Sequence, residues 1–195
     1  MPDVLIYDST YHTNVTKLDL RRMAITNIQP EIYLLSELIS LDLRDNSIKN
    51  IQPEISLLSK LINLNLSSNR IEHVNAEIWN LTSLMKLNLS YNDITFISPK
   101  ICKLVNLMYL DLSGNNIKNI PEELCQLTNL VSLNLNYTRI DKIPQKICNL
   151  VNLTYLNLSA TAITIISQKI CKLVKLTELY MSDNAIEIIQ RKLVI

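Results

Sequence analysis

The residues best suited to chemistry are four cysteines, Cys102, Cys125, Cys148 and Cys171, which follow one another at intervals of 23 in a chain of 195 residues. A metal site takes thiolates converging from several directions, usually from Cys-x-x-Cys pairs, and the sequence has no such pair. The same place upstream holds Tyr33, Ser56 and Trp79, so the position does not require sulfur. The row therefore reads as small, part-buried packing residues. Neighbouring thiols would pair only in an oxidising compartment. His12 and His73 lie in no metal-ligand motif. No nucleophile is spaced against a histidine base, and neither a glycine-rich phosphate loop nor a zinc-protease motif occurs. The expectation is a protein that is not an enzyme and needs no metal or cofactor.

Net charge is +1, which gives no reason to expect nucleic acid or an acidic membrane as partner, since both select concentrated positive charge. Hydrophobic residues make up 48% and charged residues 19%, the balance of a folded chain. They are interrupted too often for a membrane span, and the start, Met-Pro-Asp-Val-Leu-Ile-Tyr-Asp, lacks the pattern of a secretory signal. These features predict a cytoplasmic protein. Asn-x-Ser/Thr sites such as those at Asn14, Asn65, Asn80, Asn88, Asn152 and Asn157 read as by-products of a recurring Asn-Leu-Ser pattern.

The elements that position these residues repeat. Gly114 is the single glycine and there are six prolines, so the chain makes its turns in one way, over and over. Eight units start at Val15, Leu38, Leu61, Leu84, Leu107, Leu130, Leu153 and Leu176, with no insertion between them. Within the fifth, Leu110 and Leu112 alternate with polar neighbours, as in a strand with one buried face. Ile120, Leu124 and Leu127 then recur at four and three, which suits a short helical segment. Between them lies a turn carrying Asn46, Asn69, Asn92, Asn115 or Asn184. One unit cannot bury its own apolar face, but eight stacked units make a continuous core.

The pattern Leu-x-x-Leu-x-Leu-x-x-Asn-x-Ile-x-x-Ile-Pro-x-x-Ile-x-x-Leu, met almost position for position from Leu107 to Leu127, resembles the leucine-rich repeat family. The 23-residue form is that of Ras-suppressor and scribble-type proteins. The resemblance covers residues 15 to 195. It implies an α/β solenoid: a horseshoe with a parallel sheet on the concave face and short helical or 3-10 segments on the convex one. It also implies that the turn asparagines form a buried ladder bonded to backbone groups. Met23, Thr138 and Thr161 replace the ladder residue, so the ladder should be less complete there. Proline stands at the usual place in Pro121 and Pro144 and one residue later in Pro30, Pro53 and Pro99, which predicts small local differences.

Residues 1–14 carry Val4, Leu5, Ile6 and Tyr7, enough apolar surface for a cap on the first repeat. The eighth repeat keeps Leu176, Leu179, Ile186, Ile189 and Leu193, then stops at Val194 and Ile195 without a polar closing element. Either a longer chain continues there or the end associates with another copy.

Strand residues beside the buried leucines face outward. One row runs Asp19, Asp42, Asn65, Asn88, Asp111, Asn134, Asn157 and Tyr180. The next runs Arg21, Arg44, Ser67, Ser90, Ser113, Asn136, Ser159 and Ser182. Acid and base at the amino end, Arg21, Arg22 and Arg44 against Asp19, Asp42 and Asp45, should neutralise one another across strands. Tyr91, Tyr109, Tyr137, Tyr155 and Tyr180 also map outward, and tyrosine favours binding surfaces because it buries area at low entropic cost. With Asp111, Asn134 and Asn157 they are the candidate contact surface for another protein. A flanking row of Ile39, Ile62, Met85, Met108 and Val131 is expected to serve packing between repeats. An outer row drifts from Glu31, Glu54 and Glu77 through Lys100 and Glu123 to Lys146, Lys169 and Lys192, as a solvated face. The function this predicts is a protein-interaction scaffold; the alternative is the recognition part of a larger signalling or ubiquitin-ligase protein.

Overall fold

The computed structural model describes residues 3–166, 170 and 172–189. Its centre is an eight-stranded parallel sheet, one strand per repeat. The strands are β3 (Lys17–Asp19), β4 (Ser40–Asp42), β5 (Asn63–Asn65), β6 (Lys86–Asn88), β7 (Tyr109–Asp111), β8 (Ser132–Asn134), β9 (Tyr155–Asn157) and β11 (Glu178–Tyr180). They lie in chain order and in strict register, each residue paired with the one 23 positions on. At a spacing of about 4.8 Å, eight strands make a sheet roughly 35 Å across.

Each strand is only three residues long because the repeat offers three alternating positions before it must turn. The middle leucine points in: Leu41, Leu64, Leu87, Leu110, Leu133 and Leu156 are buried. The leucine two residues on, as in Leu43, Leu66, Leu89 and Leu112, is buried as well. These two layers meet the convex-side isoleucines and leucines to form one core running the length of the solenoid.

The convex segments are 3-10 turns: Pro30–Leu34, Pro53–Leu57, Ala76–Asn80, Pro99–Lys103, Glu122–Gln126 and Ile147–Asn149. A 3-10 turn puts positions three apart on one side, which matches the inward pair of each repeat, such as Ile101 and Leu104. Proline placement has a visible consequence. Pro30, Pro53 and Pro99 open their segments, where the missing N–H is no loss. Pro121 instead stands just outside its segment, which begins one residue later. The segment after Pro144 is the shortest of the six.

The turn after each strand crosses the left-handed region at one fixed place: Arg22, Asp45, Ser68, Tyr91, Gly114, Tyr137, Ala160 and Asp183 all have φ between +51° and +62°. Seven of these eight are not glycine, and each accepts a conformation that L-residues adopt at a disadvantage of roughly 1–2 kcal/mol. The asparagine next along holds the turn. The Asn92 carboxamide nitrogen donates to the carbonyls of Leu66, Leu89 and Ser90 at 3.0, 3.0 and 3.2 Å, and its oxygen accepts the Ile71 amide at 3.0 Å. Asn46, Asn69, Asn115 and Asn184 repeat this arrangement. Thr138 keeps one bond, from its hydroxyl to the Leu135 carbonyl at 2.7 Å, and Thr161 bonds Leu158 in the same way.

A second polar ladder runs along the flank before the strands. Ser83, Asn106, Asn129 and Asn152 each donate to a carbonyl 24 residues earlier, those of Ser59, Thr82, Val105 and Thr128, at 2.8–2.9 Å. In sequence they look like ordinary exposed polar residues.

At the amino end, β1 (Asp3–Ile6) and β2 (Ser9–His12) form an antiparallel hairpin. Its two-residue turn, Tyr7 and Asp8, has positive φ at both positions, the twist that suits a hairpin. Val4 and Ile6 are buried against the first repeat while Leu5 faces out. The Tyr7 hydroxyl donates to the Asn27 carbonyl and accepts the Gln29 amide. Desolvation of that half-buried phenol raises its pKa. Near the other end, β10 (Ile165–Ile166) pairs in parallel with β12 (Ile188–Ile189) on the convex side. Lys169, Cys171, Lys192, Leu193, Val194 and Ile195 lie outside the described residues.

Candidate functional site

Three-residue strands leave two outward side chains per repeat, and these line a groove of about 620 Å³ over the middle of the concave sheet. Its two rows behave differently. The row at the carboxyl ends of the strands is engaged in local structure. Asp19, Asp42, Asn65, Asn88, Asp111, Asn134 and Asn157 each accept, through Oδ1, the backbone amide two residues on. Asp111 also accepts the Asn134 carboxamide, and Asn157 donates to the Tyr155 hydroxyl, both at 3.2 Å. The candidate residues Asp111, Asn134 and Asn157 are thus turn-formers first, and their outer atoms also bond neighbours on the sheet.

Beyond the strand ends, the row that the sequence also placed outward is exposed at Arg21 and Ser182 but turned in at its centre. Ser67, Ser90 and Ser113 are buried, and their hydroxyls donate to Oδ1 of Asn65, Asn88 and Asp111 at 2.6–2.7 Å. The strand has already turned at this position, so a small hydroxyl fits beneath the asparagine or aspartate instead of beside it.

The five tyrosines divide. Tyr109, Tyr155 and Tyr180 stand on strands, with the Tyr155 and Tyr180 rings 5.7 Å apart and tilted by 47°. Tyr180 donates to Glu178, whose hydrogen bond and charge raise the phenol pKa. Tyr91 and Tyr137 occupy the left-handed turn position and project at the rim, both more than half exposed. The Tyr91 ring lies over Gly114, where an added methyl would meet its Cδ1 at 2.7 Å. Nothing in a tyrosine's residue type reveals a left-handed turn, so the sequence placed all five on one face.

At the amino end the charges pair. Arg21 makes a bidentate contact with Asp19, which lowers the carboxyl pKa and raises that of the guanidinium. Asp42 lies 3.9 Å from both Arg21 and Arg44, and Arg22 reaches Asp45 at 3.2 Å. Toward the centre, the Lys86 ammonium sits 5.0 Å from the Tyr109 ring centroid.

The flanking row is partly open. Ile39, Ile62, Met85, Met108 and Val131 floor a shallow apolar groove of about 870 Å³ beside the second polar ladder. Trp79 is fully buried, and its Nε1 has no hydrogen-bond partner among the described residues. It fills space beneath the convex surface and cannot anchor a ligand. Cys125 is buried, with Cys102 and Cys148 partly so, and burial pushes the Cys125 thiol up to about 12. Among the described residues no three His, Cys, Asp or Glu side chains gather as a metal site would require, and no helix is long and apolar enough to cross a membrane.

An open, repeat-built solenoid with a polar and aromatic concave groove defines a class of scaffold that serves generally for protein–protein interaction. The leucine-rich repeat family model matches residues 13–71, 37–94, 82–140 and 128–186. The chain belongs to the leucine-rich repeat family. The matches reach the family and do not single out the Ras-suppressor and scribble subgroup. Among solved structures, a leucine-rich repeat protein of Leptospira interrogans is 31% identical with a TM-score of 0.78, covering 90% of this chain and 50% of that one. An internalin of Listeria monocytogenes is 25% identical with a TM-score of 0.70, covering 95% and 59%. A TDR receptor is 25% identical with a TM-score of 0.67, covering 87% and 35%. The chain thus spans between about a third and three fifths of the length of these neighbours. No curated protein sequence matches it.

Proposed function

We propose that this protein is a cytoplasmic interaction scaffold that binds one partner protein along its concave face, with Tyr109, Tyr155 and Tyr180 as the principal contacts. The observation that carries this reading is the pair of aromatic strand positions, half-buried Tyr155 and exposed Tyr180, beside an amide-lined groove. Tyr155 and Tyr180 already touch, so a partner covers both with little further loss of side-chain freedom. Tyr91 and Tyr137 flank them from the rim. No catalytic step is assigned to the groove.

The test is affinity purification from the native cell with quantitative mass spectrometry, comparing wild type with Tyr109→Ala/Tyr155→Ala. Each truncation at a hot spot removes about 1–2 kcal/mol or more, so the double variant should retain less than a tenth of the partner. Equal recovery by a variant that keeps its circular dichroism rejects the concave tyrosines as the interface. A second reading, the recognition part of a larger signalling or ubiquitin-ligase protein, is favoured by the neighbours' greater length. The sequence of the full-length transcript decides it.

A further inference from the structure

We infer that the centre of the concave groove is a carboxylate-binding subsite, in which Asn65, Asn88 and Lys86 grip an acidic side chain of the bound partner. The inference rests on the concave-face reading and adds to it the chemistry of one contact.

Two carboxamides in the groove have fixed orientations. Asn65 Oδ1 accepts the Ser67 amide at 3.0 Å and the Ser67 hydroxyl at 2.7 Å. Asn88 Oδ1 accepts the same two groups of Ser90 at 2.9 and 2.7 Å. Each oxygen is thereby fixed toward the turn, because only the oxygen can take two donors. Each Nδ2 must then face the groove, and among the described residues neither has an acceptor. Asn65 and Asn88 are direct register partners on β5 and β6, so the two NH₂ groups stand about 4.8 Å apart.

Lys86 supplies the charge. It lies two residues before Asn88 on the same face of β6, roughly 7 Å along the strand. Its ammonium approaches the Tyr109 ring and forms no ion pair among the described residues. Asn65, Asn88 and Lys86 line the same groove, and the flexible lysine stem can carry its ammonium from the Tyr109 ring toward the two neutral donors. That set matches a carboxylate, which accepts at both oxygens and gains from the charge.

The flanking acids do not contradict this. Asp42 and Asp111 are the outer neighbours of Asn65 and Asn88 in the same row. Asp42 is compensated by Arg21 and Arg44 at 3.9 Å. Asp111 keeps its negative charge, with one oxygen taken by Ser113 and the other drawn toward Asn134 on β8, the side away from the subsite. Their effect is to bound the subsite on either side, leaving room for one carboxylate. The groove lining continues past the subsite in both directions, from Ser40 to Tyr155, so an occupant runs through it. This favours a side chain over a chain terminus.

The row also supplies its own variant. Asp42 and Asp111 make the same turn with a carboxylate that Asn88 makes with a carboxamide, so Asn88→Asp keeps the turn and replaces the groove-facing donor by an acceptor.

The experiment follows the Asn65 and Asn88 side-chain NH₂ resonances of the full chain by ¹⁵N–¹H NMR. The probes are three blocked peptides: acetyl-Ala-Glu-Ala-amide, its Gln counterpart, and acetyl-Ala-Ala-Ala with a free carboxyl terminus. The Glu peptide should move both resonances saturably. The Gln peptide should bind about tenfold more weakly, as should the Glu peptide to Lys86→Met. Asn88→Asp should abolish the response with the remaining backbone spectrum unchanged. Equal responses to Glu and Gln, or a Lys86→Met response equal to wild type, overturn the carboxylate assignment. A response to the free-terminus peptide alone overturns the side-chain assignment. Because the readout needs no partner, loss of the subsite is distinguishable from loss of the scaffold reading, which the tyrosine variant tests separately.

Discussion

Replacing Thr138 by asparagine should make this protein more stable. In the complete ladder units, asparagine Oδ1 takes a buried amide from the preceding repeat: those of Ile48, Ile71 and Ile94 go to Asn69, Asn92 and Asn115 at 3.0 Å. The next amide in that series belongs to Ile117, whose side chain is fully buried. The residue opposite is Thr138, whose hydroxyl is turned away to the Leu135 carbonyl. The Ile117 N–H therefore has no acceptor among the described residues. A buried, unpaired amide costs about 1–3 kcal/mol. Asparagine at 138 would supply the acceptor and keep a donor for Leu135, while the lost threonine methyl forfeits roughly 0.8 kcal/mol of burial. The net gain is about 1 kcal/mol, or roughly 2–4 °C in Tm for a chain of this size. The assay is urea unfolding followed by far-ultraviolet circular dichroism. Trp79 fluorescence is recorded in parallel, because a solenoid can lose repeats one at a time and Trp79 reports only on the third. A midpoint equal to or below that of wild type refutes the claim that the Ile117 amide is stranded. Asn115→Thr, the reverse exchange, should lose a similar amount.

Gly114→Ala should destabilise by about 1–2 kcal/mol, from positive φ and from the Tyr91 ring against it. The decisive measurement is a double-mutant cycle with Tyr91→Ala. Since Ala160 tolerates the same φ, much of the penalty should vanish once the ring is gone, and strict additivity would argue that the ring is not the reason for glycine. Asn92→Ala removes a donor shared by three carbonyls and the acceptor of the Ile71 amide, and should cost about 2–4 kcal/mol in chemical denaturation. Asn92→Thr should fall between that variant and wild type, since Thr138 shows that a hydroxyl retains one of the bonds. For Cys125 the folded pKa is raised to about 12, so the native state holds its proton where the unfolded state, near 9, has released it. Stability from this group is complete below pH 9 and is lost as pH rises from 9 toward 12. Alkylation by iodoacetamide at pH 8.5 should therefore spare Cys125 while modifying Cys102 and Cys148, and rapid native-state labelling of Cys125 would contradict its burial.

The strand leucines, the turn asparagines and the unit length were legible in the sequence, because each depends on residue type recurring at a fixed interval. What escaped depends on conformation at a position where residue type varies. Arg22, Ser68, Tyr91, Tyr137 and Ala160 share one left-handed turn position, though their residue types differ in size, charge and polarity. The tyrosines among them consequently looked like strand residues. The serines at 67, 90 and 113 alternate correctly for exposure, yet the chain bends just before them and buries their hydroxyls. Ser83, Asn106, Asn129 and Asn152 bond a carbonyl in the previous repeat, a partner that no local pattern names. The orientation of Asn65 and Asn88 is set by those same serines and is visible only with the turn in place.

The concave face is consequently less free to vary than an open sheet suggests. Of its two rows, one must present an oxygen to the following turn, so asparagine and aspartate are nearly obligatory there and differ only in what their outer atom offers. Partner chemistry is then written by two choices per repeat: donor or acceptor in that row, and any residue in the other. Along the sheet these choices change in order. Repeats one and two carry acids already neutralised by Arg21 and Arg44. Repeats three and four carry Asn65, Asn88 and Lys86 along the groove, and repeats five, seven and eight carry the strand tyrosines. A partner reading this face meets a self-compensated end, a donor-rich centre and an aromatic end within about 35 Å. An acidic residue set a few positions from an apolar or aromatic segment would engage the last two together, while the first contributes orientation without net charge. Fixed register is what makes this possible, because each repeat places its two choices at the same height above the sheet.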